Sequence, residues 1–325
     1  MITVETIASK LKSFLPKKRA ERIGIDLRPD ALRFVHARTS SSGKYILAGL
    51  GAIDIEFFKL TPEERQQLGR RLMAQCGGLS EVSFSLAHPS LRMQRMNFPP
   101  MPDGDLREAM RWNFREGIDC PIEEYRVGFL KLPRFDQKGK QAIMAFGVHA
   151  PAIPKSAEMA KQMGFKLVNL EPKASALFGL FQTNDLLKET VYTASLSMGK
   201  DESLFVVMSS ELLLFSRVMP IDLTGLSDGE SEASQKVLSE LIIEIQRAID
   251  AFVLMYEVEG VQELFLSGSG VPLQTMAAHV QQSLGLTTKI LNPFEGWKLL
   301  HGQKENDIDF SGYDVAAGLA TLSEE

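Results

Sequence analysis

Residues Arg22–Phe34 read RIGIDLRPDALRF: an apolar run with Asp26 near its end, the break Arg28-Pro29-Asp30, and a second apolar run from Ala31 to Phe34. Two short apolar runs across a polar break predict strand, tight turn and strand, since proline presets φ and aspartate favours turns. A turn of that kind can aim backbone N–H groups and a carboxylate at a phosphate and its metal ion.

The 325-residue chain is 44% hydrophobic and carries a formal net charge of -5. That length suffices for two domains with separate cores, and the weakly acidic balance makes nucleic acid a poor partner. Cys76 and Cys120 are the only cysteines; their spacing suits a reducing compartment, the cytoplasm, and two buried thiols rather than a disulfide or redox pair. His36, His88, His149, His279 and His301 are scattered without a second ligand at helical spacing, so no metal site is expected on them. No run of about 18 apolar residues occurs, and the first residues lack a cleavage-site pattern, so neither a membrane span nor a secretory leader is expected. Within residues 1–21, Ile2, Val4, Ile7, Leu11, Phe14 and Leu15 can share one helical face beside Lys10, Lys12, Lys17, Lys18 and Arg19. This amphipathic segment is expected to dock on the protein or on a partner, with an anionic lipid surface as the alternative.

Working outward from the opening turn, residues 22–27, 31–38 and 44–57 read as three consecutive strands. A helix follows over 62–76, with Thr61 as N-cap, Pro62 at the first helical position and Gly77-Gly78 as its stop. Residues 82–86 then form a fourth strand. The same order recurs in the second half, with strands at 191–198, 204–208 and 212–220, a helix, and a strand at 263–267. In that helix Leu238, Leu241, Ile242, Ile245, Ile249 and Phe252 repeat at three and four residues, and Glu244 can pair with Arg247. Two copies of strand-strand-strand-helix-strand predict a pseudo-twofold pair of domains with a cleft between them. Residues 83–167 form an insertion large enough for a subdomain.

Five strings in this order resemble the actin-like ATPase superfamily and, within it, the PilM family of type IV pilus assembly proteins, with FtsA a more distant relative. They are Ile23-Gly24-Ile25-Asp26, REAMRWNFREGIDCPIEEYRVGF at 107–129, VNLEPKASAL at 168–177, SGSG at 267–270 and YDVAAGLATL at 313–322. The resemblance implies an α/β fold of duplicated actin-like (ribonuclease-H-like) domains with an inserted FtsA/PilM-type subdomain. Its implied parts are a first domain of 22–82 and 168–189 with 311–325 packing back, the inserted subdomain of 83–167, and a second domain of 190–310.

ATP and magnesium are the cofactors the resemblance allows, held in a cleft of Asp26, Arg28, Ser197, Gly199, Gly268, Ser269 and Gly270. Asp26 is the candidate metal-directing carboxylate, and Glu171 matches the family's water-positioning carboxylate. The cleft departs from the family pattern, however. Where glycine and small hydroxyl residues should follow Asp26, the chain has Arg28, Pro29, Asp30 and Ala31, and Ser197 stands at the second aspartate position. Pro29 has no N–H, Asp30 repels anions, and serine supplies no carboxylate. The expectation is a degenerate site that needs no cofactor and turns over little or no ATP.

The resemblance implies a cytoplasmic scaffold at the inner membrane that grips the cytoplasmic N-terminal tail of a PilN-like membrane protein. A homo-oligomeric ring and contact with a pilus motor ATPase or platform protein are further implied partners. The strip Arg92, Met93, Arg95, Met96, Phe98 and Met101, with Arg111 on the following helix, is the expected peptide groove, while Trp112 is expected in the core. The alternatives are an active actin-like ATPase and a GspL-like cytoplasmic component of a type II secretion system, the latter disfavoured by the missing transmembrane segment.

Overall fold

The computed structural model describes residues 21–322 apart from 116, 117, 119, 136–138, 201, 224, 225, 227–230 and 300–308. The amphipathic segment before residue 21 and His301 lie outside the described residues. β1 (Glu21–Leu27), β2 (Ala31–Thr39) and β3 (Tyr45–Asp54) form an antiparallel meander in which Asp26 pairs with Arg33. The turn at 28–30 closes through a 2.9 Å bond from the Arg28 N–H to the Ala31 carbonyl. β3 ends at Asp54, short of the expected 57, because Phe57–Lys59 coil into a single 3-10 turn that buries Phe57. α1 (Pro62–Gln75) begins with a reciprocal cap: the Glu64 N–H donates to Thr61 Oγ1 at 3.2 Å, and the Thr61 N–H donates to Glu64 Oε2 at 2.8 Å. β4 (Glu81–Leu86) then runs parallel to β1.

β5 (Arg92–Phe98), α2 (Asp103–Phe114), β6 (Tyr125–Phe135) and β7 (Gln141–His149) build a separate three-stranded sheet in the order β5-β7-β6. α3 (Ala152–Gln162), β8 (Lys166–Pro172) and α4 (Lys173–Thr183) return the chain to the first sheet. The separate sheet is narrower than the insertion read from the sequence. β4 pairs with both β1 and β8, and α3 sends Met159 and Ala160 into the same core as Ile23, Leu72 and Phe84.

The second half repeats the first. β9 (Thr193–Met198), β10 (Ser203–Met208) and β11 (Leu213–Met219) form a meander; α5 (Glu232–Tyr256), β12 (Glu263–Gly268), α6 (Leu273–Leu284) and β13 (Thr287–Ile290) complete it. The five-stranded order β11-β10-β9-β12-β13 matches β3-β2-β1-β4-β8, with the same antiparallel meander followed by two parallel neighbours. β14 (Lys298–Leu299) adds a sixth strand beside β3. On α5 the predicted stripe is buried at Leu238, Leu241, Ile245 and Phe252, and Arg247 pairs with Glu244.

α7 (Asp314–Thr321) is buried along its whole length, which its small apolar residues permit. With α4 it fills the space between the two large sheets, uniting Val35 and Leu47 of one with Val206 and Phe265 of the other in a single core. Two glycines allow this. A Cβ on Gly24 would stand 2.1 Å from the Ala316 carbonyl oxygen, and one on Gly318 would stand 2.0 Å from that of Ala176. Among the described residues no helix is long and apolar enough to cross a membrane.

Candidate functional site

The end of β1, the end of β9 and the start of α7 meet around the Arg28 guanidinium. Asp26, the one polar residue in the buried run 23–27 of β1, is fully buried, and Arg28 Nε lies 2.6 Å from its Oδ2. One terminal nitrogen of Arg28 lies 3.4 Å from the Met198 carbonyl, and the other lies 3.3 Å from the Gly312 carbonyl and 3.6 Å from Asp314 Oδ1. Asp314 is also fully buried and accepts a hydrogen bond from Ser267 Oγ at the end of β12. Lys173, opening α4, places Nζ 4.0 Å from Asp26 Oδ1 and 3.9 Å from Glu202 Oε1. Burial alone would resist ionisation of Asp26, but the charges of Arg28 and Lys173 and hydrogen bonds from Arg28 and Ser85 outweigh it and hold the carboxyl at about 2.

The residues of the cleft expected from the sequence are placed as follows. Asp26 and Arg28 are together as an ion pair, and Arg28 also lines the cavity described below. Ser197 sits within β9, paired with Ser267 of β12 and Leu204 of β10. The Gly199 N–H donates to the Glu202 carbonyl at 2.9 Å, and a Cβ there would stand 2.8 Å from that oxygen, so the glycine serves the hairpin itself. Gly268 packs on Met198, and Ser269 packs on Gly312. Glu171 pairs in register with Ser85 near the end of β8. Arg28, Ser197 and Gly199 of that cleft line the same cavity, with Lys173 and Lys200 beside them. The Arg28 N–H is engaged with Ala31, that of Gly199 with Glu202, Pro29 has none, and the carboxylate that would direct the metal holds a guanidinium.

Beside this centre lies a cavity of about 850 Å³ that runs from the 28–30 turn to the gap between β5, α3 and β11. Arg92, Met93, Lys155, Lys200, Phe58 and Val218 are on its wall. Val218 and Phe58 are 55% and 38% exposed, so the wall carries apolar anchoring surface flanked by cations.

Of the expected peptide groove, only Arg92 and Met93 reach this wall. Strand alternation divides the rest: Met96 and Phe98 turn inward to Leu106, Met110, Phe114 and Tyr125 as core. Met101 packs against that cluster. Arg95 donates to the Met255 carbonyl at 2.7 Å and lies 4.3 Å over the Tyr256 ring, joining the small sheet to the end of α5. Arg111 pairs with Glu108 at 2.7 Å on α2. Trp112, expected in the core, is 57% exposed under the Arg115 guanidinium, because Leu106, Met110 and Phe114 already take the buried helical positions.

Cys76 is buried, with its thiol pushed up to about 11 by that burial, whereas Cys120 is only half-buried. Among the described residues no group of three potential metal ligands forms. Sequence reading missed Asp314 and Lys173. The signal for Asp314 was present, as the single charge in a run of small apolar residues; Lys173 after Glu-Pro carried none.

The fold is the actin-like ATPase fold. A solved Bacteroides thetaiotaomicron protein described as having an actin-like ATPase fold and unknown function shares it at 12% identity and a TM-score of 0.51, over 93% of this chain and 96% of that one. A family model described as type IV pilus assembly protein PilM matches residues 228–324. A solved structure described as a PilM-PilN type IV pilus biogenesis complex is similar over 93% of this chain and 98% of that one, at 20% identity and a TM-score of 0.77. The cytoplasmic domain of EpsL, an inner membrane component of the type II secretion system of Vibrio cholerae, aligns over 94% of this chain and 97% of that one at 12% identity and a TM-score of 0.52. No curated protein matched the sequence. The family model spans two of the five strings, SGSG at 267–270 and YDVAAGLATL at 313–322.

Proposed function

We propose that the chain is a non-catalytic or weakly catalytic actin-like scaffold of a type IV pilus assembly platform that holds the cytoplasmic tail of a PilN-like inner-membrane protein. What carries the reading is the likeness, over nearly the full length of both chains, to a PilM solved as a PilM-PilN complex. The open cavity between β5, α3 and β11 supports it, since an extended peptide needs apolar anchoring surface and cations or donors for its carbonyls and carboxylates. The engaged turn amides support the weak-turnover half of the proposal, because phosphoryl transfer depends on positioned donors and a metal. Association with the inner membrane then comes through the partner.

Titration of N-terminal peptides from inner-membrane pilus proteins against the full chain tests this, with Arg92→Glu and Val218→Asp as cavity-wall variants. Binding of one such tail, weakened at least tenfold by both variants while they keep the wild-type melting temperature, is expected. Failure of every tail to bind, or binding indifferent to both variants, removes the proposed mechanism. The EpsL likeness favours one competitor, so tails of type II secretion membrane proteins belong in the same titration; their preferential binding would move the assignment to that system.

A further inference from the structure

Asp26 on β1 and Asp314 on α7 are both wholly buried, and the Arg28 guanidinium lies between them. The same guanidinium reaches the Met198 and Gly312 carbonyls, so one cation meets two carboxylates and two carbonyl oxygens. Oxygen atoms of those two kinds are the donor set of a hard divalent cation. Oδ1 of each aspartate makes no hydrogen bond, so the charge there is balanced by Arg28, beside Asp26 by Lys173, and by the buried Arg33, whose guanidinium lies against Gly312 and feels both carboxylates. Met198 ends a strand of the second large sheet, Asp26 is the next-to-last residue of a strand of the first, and Gly312 precedes and Asp314 opens the helix packed between them.

We propose that Arg28 is the permanent cation of this cleft: it takes the oxygen atoms a divalent ion would need and ties the two large sheets into one closed arrangement that depends on no nucleotide. An exchangeable ion comes and goes with concentration, whereas arginine keeps its charge throughout the accessible pH range. A metal and Arg28 compete for the same carboxylates, so the wild-type chain does not respond to magnesium. Without Arg28, two buried carboxylates lose their main counter-charge, a strongly destabilising change that also opens the site to an external cation.

Thermal unfolding of the full chain tests this on wild type, Arg28→Gln and the double variant Arg28→Gln/Asp314→Asn, each in EDTA, in magnesium and in manganese. Wild type is expected to melt at one temperature in all three. Arg28→Gln is expected to melt lower in EDTA by roughly 5–15 °C and to recover part of that loss on adding either metal, as binding to the folded state alone requires. The double variant, with one carboxylate neutralised, is expected to melt above Arg28→Gln in EDTA and to ignore metal. Metal stabilisation of the wild type, an Arg28→Gln midpoint equal to wild type, or a lowered midpoint that neither metal raises overturns the proposal. If Arg28→Gln does not fold, the double variant decides: its folding supports the proposal, and its failure, with the charge conflict relieved, counts against it.

Discussion

Asp26 shows how a residue's meaning changes with its neighbours. At the end of a strand and before a turn it reads as a metal-directing carboxylate; in the fold it is the buried partner of Arg28. Its carboxyl ionises at about 2 when folded, against 3.8 for the ordinary side chain, so the folded chain binds fewer protons between those values. The resulting stabilisation is therefore fully present above about pH 4 and is lost as the pH falls toward 2, with an amplitude on the order of 2 kcal/mol. Denaturant unfolding of wild type and of Asp26→Asn/Arg28→Gln across that window should show a steeper acid loss for wild type. Parallel curves would mean that other carboxylates carry the acid sensitivity.

At the scale of elements, α7 is held by shape as much as by apolar area. Its contact with β1 requires Gly24, since a Cβ would stand 2.1 Å from the Ala316 carbonyl oxygen and 2.5 Å from the Ala320 nitrogen. Backbone atoms cannot swing aside as a side chain can, so Gly24→Ala is expected to cost roughly 3 kcal/mol or more. Gly104 gives the opposite sign: it lies in α2, where a Cβ would have nothing within 4 Å, and Gly104→Ala is expected to stabilise by about 0.5–1 kcal/mol. Chemical denaturation of the two variants checks both; a mild Gly24→Ala would show that α7 can shift along β1 without loss.

Across the whole molecule, the small sheet touches both halves. Leu91 and Val148 meet Leu86 and Ala152 on the first side, Met93 and Met144 meet Leu212 on the second, and Arg95 reaches the end of α5. Arg95 is thus a clamp between the inserted sheet and the second half. Hydrogen exchange on Arg95→Ala is expected to accelerate in 92–98 and at the last turn of α5, while amides of β1 and β9 keep their protection. Unchanged exchange in 92–98 would assign the hold to the apolar contacts alone.

The duplicated strand order, the stripe on α5 and the Thr61 cap were legible because each rests on local chemistry: hydrophobic period, turn residues and a side chain reaching its own helix. The family resemblance was legible for a related reason, since it was read from short local strings. The width of the insertion and the fate of β5 were not. An alternating strand offers two faces, and only the packing of α2 on one and of the second half on the other decides that Met96 and Phe98 are core and Arg95 a clamp. Likewise the sequence alone determined that the turn after Asp26 lacks the glycine and hydroxyls a phosphate would need. That Arg28 folds back onto Asp26, and meets there the distant Asp314 from the far end of the chain, was decided by tertiary structure, because a charge finds its partner by proximity in space and buried carboxylates accept whichever cation the fold delivers to them.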